Sequence, residues 1–196
     1  MRADELLDAG QVALMWLRRA LGDLYVHDWA LLRYGVGERA LTARLAHHLV
    51  AHVDPMWHVD AEYDRQGRKG AMKVRDRAKR TRMQPDLVVH RRGLRGIENN
   101  RLFVEVKRRW QQPAGDADDI DKVRQAVIEH RYQVAAAVGI STTGRGFSPV
   151  WTVYVPSRRP RSGTRRKATL VGRTEAVFDE AELVALEVAA RQAGAD

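Results

Sequence analysis

Between Pro85 and Lys107 the chain reads PDLVVHRRGLRGIENNRLFVEVK, and no other stretch restricts the fold as strongly. Two short apolar runs, Leu87–His90 and Leu102–Lys107, flank a connection rich in turn formers (Gly93, Gly96 and Asn99-Asn100), which predicts two strands and a turn. Side chains on a strand alternate faces, so Phe103, Glu105 and Lys107 share one side, and Val104 and Val106 the other. Asp86 opens the first strand, and pairing the two strands would set it beside Glu105. Two carboxylates and an ammonium then converge at a sheet surface. Such a set can hold a hard divalent cation and orient a water. The alternative reading is a surface hairpin with a solvated Glu-Lys pair.

Pro85-Asp86 and Glu105-Val106-Lys107, with the two carboxylates nineteen residues apart at the edges of apolar strands, resemble the half-motifs of the PD-(D/E)xK nuclease superfamily. The resemblance implies a restriction-endonuclease-like fold and a metal-dependent deoxyribonuclease. Asp86, Glu105 and the carbonyl of Val106 would hold Mg²⁺ or Mn²⁺, and Lys107 would orient the attacking water or offset developing charge. In many nucleases of the superfamily a glutamate on the first core helix reaches the metal, and Glu38 takes that place here. The other account of Glu38 is a first-turn acid that complements the helix dipole. Exonuclease-type branches carry Gln-x-x-x-Tyr on the following helix. Here Gln125 is followed by Glu129 at that spacing, which argues against that branch.

The remaining elements fit around this pair. Leu7, Leu14, Leu17 and Leu21 predict one or two amphipathic helices over 4–34, broken at Gly22-Asp23, serving as a cap or a dimerisation element. Glu38–Val53 predicts a helix with a buried stripe of Leu41, Leu45 and Leu49. His47, His48 and His52 on that helix read as a solvated polar face, because no HExxH pattern accompanies them. Trp57–Tyr63 alternates as a first strand, with Asp60 or Glu62 either adding a carboxylate to the site or facing solvent. Asp118 and Asp121 are placed to cap and charge the start of a helix reaching about Arg131, with Ile120, Val123, Val127 and Ile128 as its apolar face. Tyr132–Ile140 follows as a strand.

That order, helix, three strands, helix, strand, is the αβββαβ order of the superfamily core. The expected class is therefore α/β, a central mixed sheet flanked by helices, in one domain. Its parts are a helical N-terminal extension (1–34), a catalytic core (38–141) and C-terminal additions (142–196). The additions comprise strands at Val150–Val155 and Ala168–Gly172 and a final helix opened by Asp179 and Glu182. The loop STTGRG lacks the Gly-Lys-Ser/Thr ending of a nucleotide-binding loop and reads as a connection.

Charge points to the partner. The net charge is +9, yet Arg65–Met83 alone carries +8 and Arg158–Lys167 carries +6, which leaves the remainder mildly acidic. Basicity gathered into two segments suits phosphate contacts that release counterions. The candidate contacts are Arg68, Lys69, Lys73, Arg75, Arg77, Lys79, Arg80 and Arg82 in the first segment, and Arg165, Arg166 and Lys167 in the second. With no cysteine, disulfides, thiolate zinc sites and cysteine nucleophiles are excluded. The absence of a membrane-length apolar stretch and of a signal-peptide pattern leads to an expectation of a cytoplasmic protein without a membrane partner. DNA is the expected partner, with a second copy or another protein completing a double-strand cut. The competing reading is a DNA-binding module that keeps a nuclease fold and acts with a partner enzyme. An RNA-associated protein is a third reading, weakened by the lack of an aromatic pair on neighbouring strands.

Overall fold

The computed structural model describes residues 3–76, 81–108, 117–140, 150–156 and 168–174. In chain order these form α1 (Ala3–His27), α2 (Trp29–Tyr34), α3 (Glu38–His52), β1 (His58–Ala61), β2 (Arg65–Gln66), β3 (Ala71–Met72), β4 (Val74–Asp76), β5 (Thr81–Arg82), β6 (Leu87–His90), β7 (Asn100–Arg108), α4 (Ala117–Ile128), β8 (Val134–Ile140), β9 (Val150–Pro156) and β10 (Ala168–Thr174). Six of the strands make one sheet in the order β1-β6-β7-β8-β9-β10. Its pairs are antiparallel except β7 with β8, so the sheet is mixed. The hairpins β2-β3 and β4-β5 are inserted between the first two sheet strands. The expected final helix after Asp179, the STTGRG loop and the second basic segment lie outside the described residues.

Period-two alternation on β7 divides the core into two layers. Leu102, Val104 and Val106 pack with Leu17, Leu21 and Leu24 of α1 and with Leu41, Leu45 and Leu49 of α3. Phe103, on the opposite face, packs with Val123, Ala126 and Val127 of α4. Central β8 is buried along its whole length. Its alanines at 135, 136 and 137 keep that strand thin, so helices cover both faces closely. Each fully buried leucine is worth about 1.5–3 kcal/mol.

The N-terminal helix is therefore a layer of the core rather than an appendage. The expected break at Gly22-Asp23 is absent: α1 continues to His27 and the chain turns at Asp28. A mid-helix glycine costs only about 1 kcal/mol against alanine, less than the burial of Leu17, Leu21 and Leu24 returns. Gly35 ends α2 in the left-handed conformation (φ 66°), with the Arg108 guanidinium pressed against it.

The histidine face of α3 also differs from expectation. His48 is buried, and its Nε2 lies 2.5 Å from Asp28 Oδ2, while Arg44 Nε donates to both Asp28 oxygens at 2.9 Å. His52 pairs with Asp23 at 2.6 Å. These contacts clamp α3 to the α1–α2 corner, so His48 and His52 serve packing and are held apart by separate partners.

Candidate active site

The β6–β7 register sets Leu87 opposite Val104, which brings the preceding Asp86 level with Glu105. The Val106 backbone N–H donates to Asp86 Oδ2 at 2.6 Å and fixes that carboxylate beside the strand. Glu105 lies on a central strand and is 1% exposed. Burial, and next the neighbouring Asp86, hold its carboxyl up at about 8. Burial likewise pushes Asp86 upward, against the pull of the Val106 N–H and of Lys122 and Lys107. A glutamate in this position costs stability, and perturbed carboxyl pairs of this kind cluster at functional sites.

Lys107 lies on the same face of β7, its Nζ 3.5 Å from Asp119 Oδ2 and 3.6 Å from Glu38 Oε2. Partial burial works against its charge, but Asp119 and Glu38 outweigh it and raise its pKa. Glu38, at the first position of α3, also accepts a hydrogen bond from the Arg108 N–H at 3.3 Å. The contacts of Glu38 are thus with Lys107 and the end of β7. Asp86, Glu105 and Lys107 lie together on one face, and Glu38 joins them through Lys107.

Two further members come from α4. Asp119 is 2% exposed and Lys122 reaches Glu105 Oε2 at 2.9 Å. Helix-start patterning in the sequence points to Asp118 and Asp121 and does not mark Asp119 or Lys122. Asp118 instead pairs with Arg75 (2.7 Å), and Asp121 with Arg124 (2.9 Å) and Gln125 (2.6 Å). The signal was present: stepping back one turn from Val123 along the buried stripe lands on Asp119.

Other expected residues stand elsewhere. Asp60 is taken by His90 (2.8 Å) and Arg92 (2.7 Å), and Glu62 accepts from Gln84 at 3.0 Å. Neither joins the carboxylate pair. Lys73 is 1% exposed, donates to the Tyr63 carbonyl at 2.7 Å and lies over the Tyr63 and Tyr132 rings, so it is a core residue and not a phosphate contact. Arg68 and Lys69 are exposed on the β2–β3 turn. That turn abuts Arg95 in the connection beyond His90, at the end of β6 away from Asp86. Arg75, through Asp118, is held at the start of α4 beside the site, and Arg82 is exposed near Asp64 (3.5 Å). Arg77, Lys79, Arg80, Arg165, Arg166 and Lys167 fall outside the described residues.

As a place for a hard cation, the cluster offers oxygen donors only. Glu105 Oε1 is buried without a hydrogen-bond partner, which fits a ligand atom. Among the described residues no three acidic or histidine side chains converge in a metal-ligand arrangement. The protein oxygens that could hold a partly hydrated hard ion there are those of Asp86 and Glu105 and the Val106 carbonyl. Compared with protein-family models, curated proteins and solved structures, the chain matches none.

Proposed function

We propose that this protein is a metal-dependent DNA endonuclease, with a PD-(D/E)xK-type site on a restriction-endonuclease-like core. The observation that carries the reading is Glu105, a carboxylate buried on a central strand with one oxygen unpartnered, beside Asp86 and two residues before Lys107. A structural role would favour an apolar residue at that position. The order α3, β1, β6, β7, α4, β8 and the parallel β7–β8 pair support the same reading.

Asp86 and Glu105, with the Val106 carbonyl, would hold Mg²⁺ or Mn²⁺. The bound ion would supply an activated water and offset charge on the phosphate. Asp86 is oriented for this by the Val106 N–H. Lys107 is held between Glu38 and Asp119, a third exposed, at a point from which it can donate to a water or to a phosphate oxygen. Arg75 and the exposed arginines of the first basic segment would meet the DNA backbone without reading its sequence.

The test is cleavage of supercoiled, linear, single-stranded and four-way-junction DNA by wild type and Lys107→Ala, with salt-dependent binding measured in parallel. The expected result is cleavage by wild type alone, with comparable binding by both proteins. Full activity in Lys107→Ala would defeat the assignment. Binding without cutting on every substrate would favour the non-catalytic DNA-binding module.

A further inference from the structure

Lys122 extends from α4 to β7, where its Nζ lies 2.9 Å from Glu105 Oε2 and 3.5 Å from Asp119 Oδ1. Both acids are nearly inaccessible, at 1% and 2% exposure. Each directs one oxygen at this ammonium; of the other two, Glu105 Oε1 has no hydrogen-bond partner and Asp119 Oδ2 lies 3.5 Å from Lys107 Nζ. The ammonium therefore leaves Glu105 Oε1 unmet, and a hard cation takes more oxygens than the two that Lys122 reaches. The Lys122 side chain is itself 22% exposed, so rotation of its stem can carry the charge to solvent.

We propose that Lys122 is a built-in stand-in cation, which occupies the place beside Glu105 until a divalent ion binds there and is then released toward the nucleic-acid phosphates. This rests on the reading of Asp86 and Glu105 as a metal-holding pair, and adds a residue on a different element. An ammonium left 2.9 Å from a metal-ligating oxygen would face a doubly charged ion at a distance where repulsion far exceeds thermal energy. Release relieves that repulsion and supplies a mobile cation when a polyanion arrives. Asp119, which also touches Lys107, keeps one charged partner after the exchange.

Two measurements on the 196-residue chain test this. In the first, Mn²⁺ is titrated calorimetrically into wild type and Lys122→Met. The variant should bind about tenfold more tightly, or better, because the competing charge is gone. The proton that would otherwise neutralise Glu105 carries half the charge of the ion, so losing the ammonium favours the ion over the proton. In the second, an amine-acylating reagent labels wild type with Mn²⁺ or with EDTA. Lys122 should label severalfold faster with Mn²⁺, against exposed Lys69 as the internal reference.

Equal or weaker Mn²⁺ binding by Lys122→Met overturns the proposal, as does unchanged Lys122 labelling, which decides the matter if the variant does not fold. Unchanged labelling in a protein that cleaves DNA with Mn²⁺ removes this inference and leaves the nuclease standing. Mn²⁺-driven release of Lys122 without cleavage does the reverse. No Mn²⁺ binding by either protein overturns both.

Discussion

Replacing Glu105 with Gln should stabilise the protein in the presence of EDTA and, on the proposed reading, abolish DNA cleavage. The native carboxyl is held at about 8 by burial and Asp86, whereas an unperturbed glutamate ionises near 4.5. Below the unfolded value both states are protonated, and Glu105 has no effect on the pH dependence. Between the two values the unfolded chain releases its proton and the native state keeps it, so stability falls as pH rises through that window. At about 1.36 kcal/mol per pH unit, roughly 3 kcal/mol has been lost by pH 7. Glutamine is isosteric and carries no such penalty, and Lys122 keeps an acceptor oxygen at that position as well as its ion pair with Asp119. The net expectation is a gain of about 2–3 kcal/mol near neutrality, or roughly 4–12 °C in Tm for a chain of this size. Calorimetric melting of both proteins in EDTA at pH 5, 7 and 8 measures it. The gap should be small at pH 5 and widen with pH. A variant that is less stable at pH 8, or a gap that does not change with pH, would refute the account of Glu105 as a strained carboxyl.

Lys73→Met should stabilise the fold by about 1–2 kcal/mol at pH 7, since burial lowers the lysine to about 8 and the lost bond to the Tyr63 carbonyl offsets part of the gain. The unfolded lysine stays protonated to a higher pH, so the advantage should shrink as pH climbs from about 8 toward 10.5 in chemical denaturation, with DNA affinity unchanged throughout. Asp28→Ala should cost about 1–3 kcal/mol, chiefly by leaving buried His48 without its partner while partly exposed Arg44 turns to solvent, read as a fall in denaturation midpoint. Burial alone would raise Asp28, but Arg44 and His48 together lower it, so its contribution is present above the ordinary carboxylate range and should be lost on acidification. Leu45→Ala, at the contact of α3 with the sheet, should cost about 2–5 kcal/mol in the same assay.

The parts of the fold visible in the sequence are those with a strong period. The alternation on β7 and the leucine stripe of α3 placed the two layers correctly, because burial on one face enforces the period. The carboxylate pair was visible for the same reason: register follows once both strands bury one face. Lys73 was not visible as a core residue, because a lysine inside a basic run carries no local mark of the tyrosines that cover it. Asp119 and Lys122 were obscured by Asp118 and Asp121, since four charges within five residues at a helix start satisfy a capping pattern whichever of them turns inward. Gly22 showed the reverse error, where a local breaker signal was overridden by tertiary burial.

On the proposed reading, Asp86 and Glu105 hold a catalytic divalent ion. Its most direct test is the rate of nicking of supercoiled plasmid as Mg²⁺ is titrated into EDTA-treated wild type and Asp86→Asn. The account predicts no cutting in EDTA, a saturable rise with Mg²⁺ in wild type, and loss of that rise in Asp86→Asn. Cutting that persists in EDTA, or an Asp86→Asn protein that nicks as fast as wild type, would contradict it.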